Sequence, residues 1–118
     1  MLTATQFSPQ HVYALNATIP SGATLSNAID LSGTQLAGMF IPASFDGTLI
    51  YLQAAPSLDG TYSRVQADGT DVAITVTAGK AVAISNLAVI VGWQFIKLET
   101  LAAQATTDTV ITLATRPL

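Results

Sequence analysis

Cysteine is absent, histidine occurs once, and only four Lys and Arg stand against seven Asp and Glu in 118 residues. Each shortage closes off a class of function. Without Cys there is no disulfide framework, no thiolate metal site and no thiol nucleophile, and the composition agrees with folding in a reducing compartment. The lone His11 lies in an uncharged N-terminal stretch close to Pro9. A nucleophile–base pair would depend on it alone, and a structural or surface role is the plainer reading. Charged residues make up 9% of the chain, against about 25% in an average domain. The four cations Arg64, Lys80, Lys97 and Arg116 are scattered and the net charge is −3. Such a chain cannot neutralise a run of phosphates, so nucleic acid is excluded as a partner. Long apolar runs are missing too. The most apolar charge-free run, residues 81–96, contains Ser85, Asn86 and Gln94, and it falls short of the roughly 20 apolar residues of a spanning helix. No basic residue precedes a hydrophobic stretch at the N-terminus, and Pro9 interrupts it, so no signal peptide is read and no membrane partner is expected.

What the chain does have is turn chemistry between short β-prone runs. Three Asp-Gly pairs, Asp46-Gly47, Asp59-Gly60 and Asp68-Gly69, lie beside segments rich in Val, Ile, Leu, Tyr or Thr. Asp-Gly in that setting predicts β-hairpins, because the tight turn needs positive φ. Alternation of apolar and polar residues predicts strands over 12–19, 24–31, 48–54, 61–66, 71–77, 80–85, 93–99 and 109–115. Residues 36–41 are apolar on both faces, as in a buried strand ended by Pro42. Residues 88–91 could add a short strand, and 101–107 read as a polar loop. No 3.6-residue stripe is sustained. The prediction is an all-β fold, an antiparallel β-sandwich, jelly-roll-like or Ig-like, of about 8–9 strands. At this length the chain is one domain that buries roughly 65% of its unfolded surface.

Residues 1–29 carry no Asp, Glu, Lys or Arg. A disordered tail is normally charged or rich in Pro, Gly and Ser, whereas this segment holds Phe7, Val12, Tyr13, Leu15, Ile19 and Leu25. Two readings stand: one or two ordinary strands, or an arm lying on a neighbouring subunit. On the second, residues 1–23 form an N-terminal segment ahead of a sandwich over 24–118, with Phe7, Val12, Tyr13 and Leu15 as the partner-contact candidates.

Little chemistry can be assembled from the rest. Asp46, Asp59 and Asp68 are accounted for as turn residues whose carboxylates bond nearby amides. A glycosidase pair drawn from them depends on a spatial separation the sequence does not give. Asp68 and Asp71 together suggest Ca²⁺, but a calcium loop gathers more oxygen ligands. No glycine-rich phosphate loop and no zinc ligand set occurs. Asn16-Ala17-Thr18 fits the N-glycosylation pattern, which matters only in a secreted eukaryotic protein. Tyr51, Tyr62, Trp93 and Phe95 could form a sugar-stacking platform, although core positions for Trp93 or Phe95 are the plainer expectation. No catalytic, cofactor-binding or metal-binding residue is nominated, and no cofactor is expected.

One ordered set of segments carries a resemblance. It runs Leu25-Ser26-Asn27-Ala28-Ile29-Asp30-Leu31, Gly38-Met39-Phe40-Ile41-Pro42, Leu49-Ile50-Tyr51-Leu52-Gln53, Ser57-Leu58-Asp59-Gly60-Thr61-Tyr62, Ile96-Lys97-Leu98 and Val110-Ile111-Thr112-Leu113. This resembles the small β-rich virion structural proteins of tailed bacteriophages, the head decoration or cement proteins, over residues 24–116. The resemblance implies a non-enzymatic β-sandwich that forms a homotrimer and clamps major capsid protein subunits on the outside of the capsid, made in the host cytoplasm and located on the virion. It brings no catalytic residues. Low charge fits such a role, since buried interface cores are depleted in charge. The alternatives are a phage tail or baseplate component, a carbohydrate-binding β-sandwich module, and a small hydrolase, for which no nucleophile–base pair is evident.

Overall fold

Alternation becomes burial in the long strands. In Leu49–Ala55 the side chains of Ile50 and Leu52 are buried while Leu49, Tyr51 and Gln53 are half-buried. In Phe95–Thr100 it is Ile96, Leu98 and Thr100 that turn inward, and in Thr109–Pro117 it is Thr109, Ile111, Leu113 and Thr115. The computed structural model describes residues 13–85, 92–105 and 107–117, and these are all-β with no helix. The strands are β1 (Tyr13–Ile19), β2 (Ile29–Asp30), β3 (Thr34–Phe40), β4 (Leu49–Ala55), β5 (Ser63–Arg64), β6 (Gln66–Ala67), β7 (Thr70–Asp71), β8 (Ala73–Thr75), β9 (Ala81–Ala83), β10 (Phe95–Thr100) and β11 (Thr109–Pro117).

They form two large antiparallel sheets and a separate two-stranded one, β6-β7. Sheet A has the order β1-β11-β3-β9. Sheet B has the order β2-β10-β4-β5, with β8 also on β4. One core cluster joins them: Ala17, Ile19, Leu36, Met39, Ile111 and Leu113 from sheet A meet Ile29, Ile50, Leu52, Ile96 and Leu98 from sheet B. The fold is a β-sandwich. Residues 13–19, placed in the N-terminal segment by the sequence boundary at 23, are a strand of this sandwich, paired along their whole length with β11.

The Asp-Gly pairs fare differently. Asp68-Gly69 links β6 to β7 with φ of 53° and 79°, which is the two-residue hairpin geometry expected. Asp59-Gly60 lies in the longer loop of the β4–β5 hairpin. Asp46-Gly47 does not make a hairpin. It lies on the crossover from β3 in sheet A to β4 in sheet B, where Asp46 Oδ2 accepts the Ala105 N–H at 2.9 Å.

Three predicted strands, 24–31, 61–66 and 71–77, are broken for visible reasons. Along 24–31, Ser26 donates its N–H to the Leu98 carbonyl, but the Leu98 N–H goes to Ser26 Oγ at 2.9 Å. Asn27 leaves the ladder to bond the Thr18 backbone. Side-chain oxygens of this kind compete with the ladder, so only Ile29–Asp30 remains as regular strand. On the outer edge of β4, Leu52 accepts from the Val65 N–H and donates to the Val72 carbonyl. The edge therefore passes from β5 to β8, and the β6–β7 hairpin projects between them. Residues 36–41 are not buried on both faces as expected. A bulge against β11, between Ala114 and Thr115, shifts the register, and Phe40 is left exposed. The short strand expected at 88–91 lies outside the described residues.

Candidate interaction surfaces

The outer face of sheet B holds most of the paired charge. Arg64 on β5 donates Nε and Nη2 to the two carboxylate oxygens of Glu99 on β10, both at 2.9 Å, and Nη1 to Asp71 at 2.9 Å. Gln53 donates to Glu99 at 2.8 Å and Gln66 to Asp71 at 2.9 Å. The guanidinium lies over the Tyr51 ring, 4.0 Å from its centroid, and Lys97 over the Tyr62 ring at 4.6 Å. Both contacts are of the cation–π kind. Arg64 lowers the Glu99 carboxyl below its usual range. Gln66 first, then Arg64, do the same for Asp71. The two carboxylates in turn hold Arg64 firmly protonated. A fork of this geometry is a strong pairing, and it ties β5 to β10 across the intervening β4 and to β7 of the projecting hairpin. It leaves Asp71 engaged by protein partners rather than by the calcium ion considered for residues 68–71.

The same pairing occupies two of the four aromatic residues considered for sugar stacking. Cations cover one face each of Tyr51 and Tyr62. A core position is expected for Trp93 or Phe95, and neither is buried. Trp93 is 42% exposed ahead of β10 and Phe95 is half-buried at its start. They line an open cleft of about 540 Å³ together with Ala55, Pro56, Arg64 and Gln66. The alternation that suggested core positions is real, but Ile96, Leu98 and Thr100 take the inward phase and Phe95 the outward one.

The outer face of sheet A is different in kind. Its four strands carry a single charged residue, Arg116. With its amide oxygen toward Arg116, Gln35 accepts Nε at 2.7 Å and Nη2 at 2.9 Å. Strands of the same sheet also carry Phe40, 55% exposed, and Val110, 43% exposed. A shallow depression of about 330 Å³ runs between Phe40, Ala81, Ala83 and Ala114. Sequence reasoning missed this surface. The signal was present strand by strand, since none of the four segments holds an Asp, Glu or Lys, but their assembly into one sheet was not visible.

The partner-contact residues divide. Phe7 and Val12 lie outside the described residues, as does His11. Tyr13 opens β1 opposite Thr115. Leu15 is half-buried and packs against the chain's own core, as the ordinary-strand reading of the uncharged N-terminus implies. Among the described residues no group of three His, Asp or Glu could hold a metal ion, and no helix is long and apolar enough to cross a membrane. Comparison with protein-family models, curated proteins and solved structures gave no match.

Proposed function

We propose that this chain is a non-enzymatic structural protein of a tailed-phage virion, a cement or decoration protein that binds the outer surface of the head shell and stabilises it. The observation that carries this reading is the outer face of sheet A: four strands with one charged side chain, Arg116, and exposed Phe40 and Val110. A face so poor in charge loses little hydration when covered by protein. Its partner is the major capsid protein, and the chain associates with itself as a homotrimer, as the resemblance in the order of its strand segments implies. Repetition over a symmetric shell makes a weak single contact effective. Each occupied site adds RT ln(1 + [L]/Kd), about 2.7 kcal/mol at a concentration 100 times Kd.

Heating particles with and without the protein, at low and high salt, tests this. Decorated particles should survive to a higher temperature, with little loss at high salt because the contact is mainly apolar. Equal survival with and without the protein would remove the reading.

A further inference from the structure

We propose that the depression on the outer face of sheet A recognises an acidic segment of the protein that covers it. Arg116 receives a carboxylate of that segment, and Phe40 packs on the apolar group beside it. The inference rests on the reading of this face as the surface that meets the shell, and it names the chemistry the partner must carry.

The depression exists because its strands present little side chain. Gly38 on β3 has none, and Ala81 and Ala83 on β9 and Ala114 on β11 add one methyl each. Phe40 and Arg116 are its two large exposed side chains. An aromatic ring and a guanidinium beside a small apolar floor are the residue types that anchor protein interfaces.

Arg116 is held in place without being neutralised. Its opposite residue on β3 is Gln35, only 8% exposed. The one amide oxygen of Gln35 accepts both Nε and Nη2, which fixes the plane of the guanidinium. Among the described residues no carboxylate pairs with Arg116, whose Nη1 has no acceptor there; the ion pairs both belong to Arg64. The strands of sheet A therefore carry one positive charge on a chain whose net charge is −3. An oriented guanidinium matches a carboxylate in charge and in geometry. A phosphate-rich partner would need clustered cations, and Arg116 stands alone on these strands. An ion pair covered by protein is screened less than an exposed one, so one such pair agrees with the weak salt dependence expected of the whole contact.

Hexanoate, hexanamide and hexylammonium share an apolar chain and differ in the head group. Each would be titrated into the isotopically labelled full chain and followed by nuclear magnetic resonance. Hexanoate should move the amide signals of Gly38, Ala83 and Ala114 with a Kd on the order of 10 mM, and the other two should not. In Arg116→Glu the preference should reverse to hexylammonium, a result that a merely structural arginine would not give. In parallel, sedimentation with undecorated shells should show attachment weakened about tenfold by Arg116→Met and abolished by Arg116→Glu. The double variant Gln35→Leu/Arg116→Met removes both polar partners together, so it avoids leaving a buried amide unpaired, and it should attach as weakly as Arg116→Met. Hexanoate binding with shells that stay bare would sink the shell reading and leave the carboxylate site standing. No response to hexanoate, an equal response to hexanamide, or equal attachment by the parent and the double variant would overturn the proposal.

Discussion

Gln104 is fully buried in the loop between β10 and β11, and it joins three connections at one end of the sandwich. Its Oε1 accepts the Asp46 N–H at 3.0 Å and the Thr109 hydroxyl at 2.9 Å, and its Nε2 donates to the Asp46 carbonyl at 3.0 Å. Its backbone N–H donates to the Ala23 carbonyl, and its own carbonyl accepts the Gly22 N–H. Truncation would strand the half-buried Asp46 amide and the buried Thr109 hydroxyl, so Gln104→Ala should lower unfolding stability by about 2–4 kcal/mol in urea. Gln104→Glu should also destabilise, because a carboxylate cannot donate to the Asp46 carbonyl. Nothing in the sequence marks this residue apart from Gln94 or Gln53, since its partner Asp46 lies far away along the chain. The Arg64 fork was equally hidden, for the same reason. Its pH behaviour is testable. Glu99 and Asp71 are both held below their ordinary carboxylate values when folded. Their contribution is therefore complete above about pH 5 and fades as pH falls below about 4. The urea midpoint of the parent should drop over that window, and that of Arg64→Met should drop less.

Among the elements, the long strands were readable and the short ones were not. Period-2 alternation over 49–55 and 109–117 needs only one buried face, and both segments have it. An Asp-Gly pair says that the chain turns, but not whether it returns to the same sheet. At Asp68-Gly69 it does; at Asp46-Gly47 the chain crosses to the other sheet. Gly69→Ala should therefore cost about 1 kcal/mol, read as a lower thermal midpoint, because its φ of 79° suits glycine. Gly38 constrains a different element. A Cβ there would come within 2.8 Å of the Val82 carbonyl oxygen on β9. Gly38→Ala should push this edge strand off β3, and backbone amides of Ala81–Ala83 that are protected in the parent should exchange faster while β10 is unaffected.

Across the whole molecule, charge is segregated. Lys97, Glu99, Arg64 and Asp30 lie on strands of sheet B, and Arg116 alone on those of sheet A. A composition of 9% charge describes the average and conceals this division, because sheet membership is decided by pairings such as Tyr13 with Thr115. The bare face should govern assembly. Phe40→Glu and Val110→Glu are surface changes that should alter stability by no more than about 0.5 kcal/mol. If sheet A seats on the shell, each should abolish decoration of particles in a sedimentation assay, whereas Lys97→Ala on sheet B should leave it intact. The oligomeric state, measured by light scattering at micromolar concentration, should be trimeric.

The position of β11 between β1 and β3 also sets a clock. Sheet A is complete only when β11, from one end of the described chain, has paired with both β3 and β1, and such non-local closure places folding in the range of milliseconds to seconds. During that interval Ile111 and Leu113 are uncovered and both edges of β11 lack partners. Two chains that collide then can lend each other a β1 strand. Dilution during refolding should raise the yield, and crowded synthesis should lower it unless the ribosomal output is spaced or chaperoned.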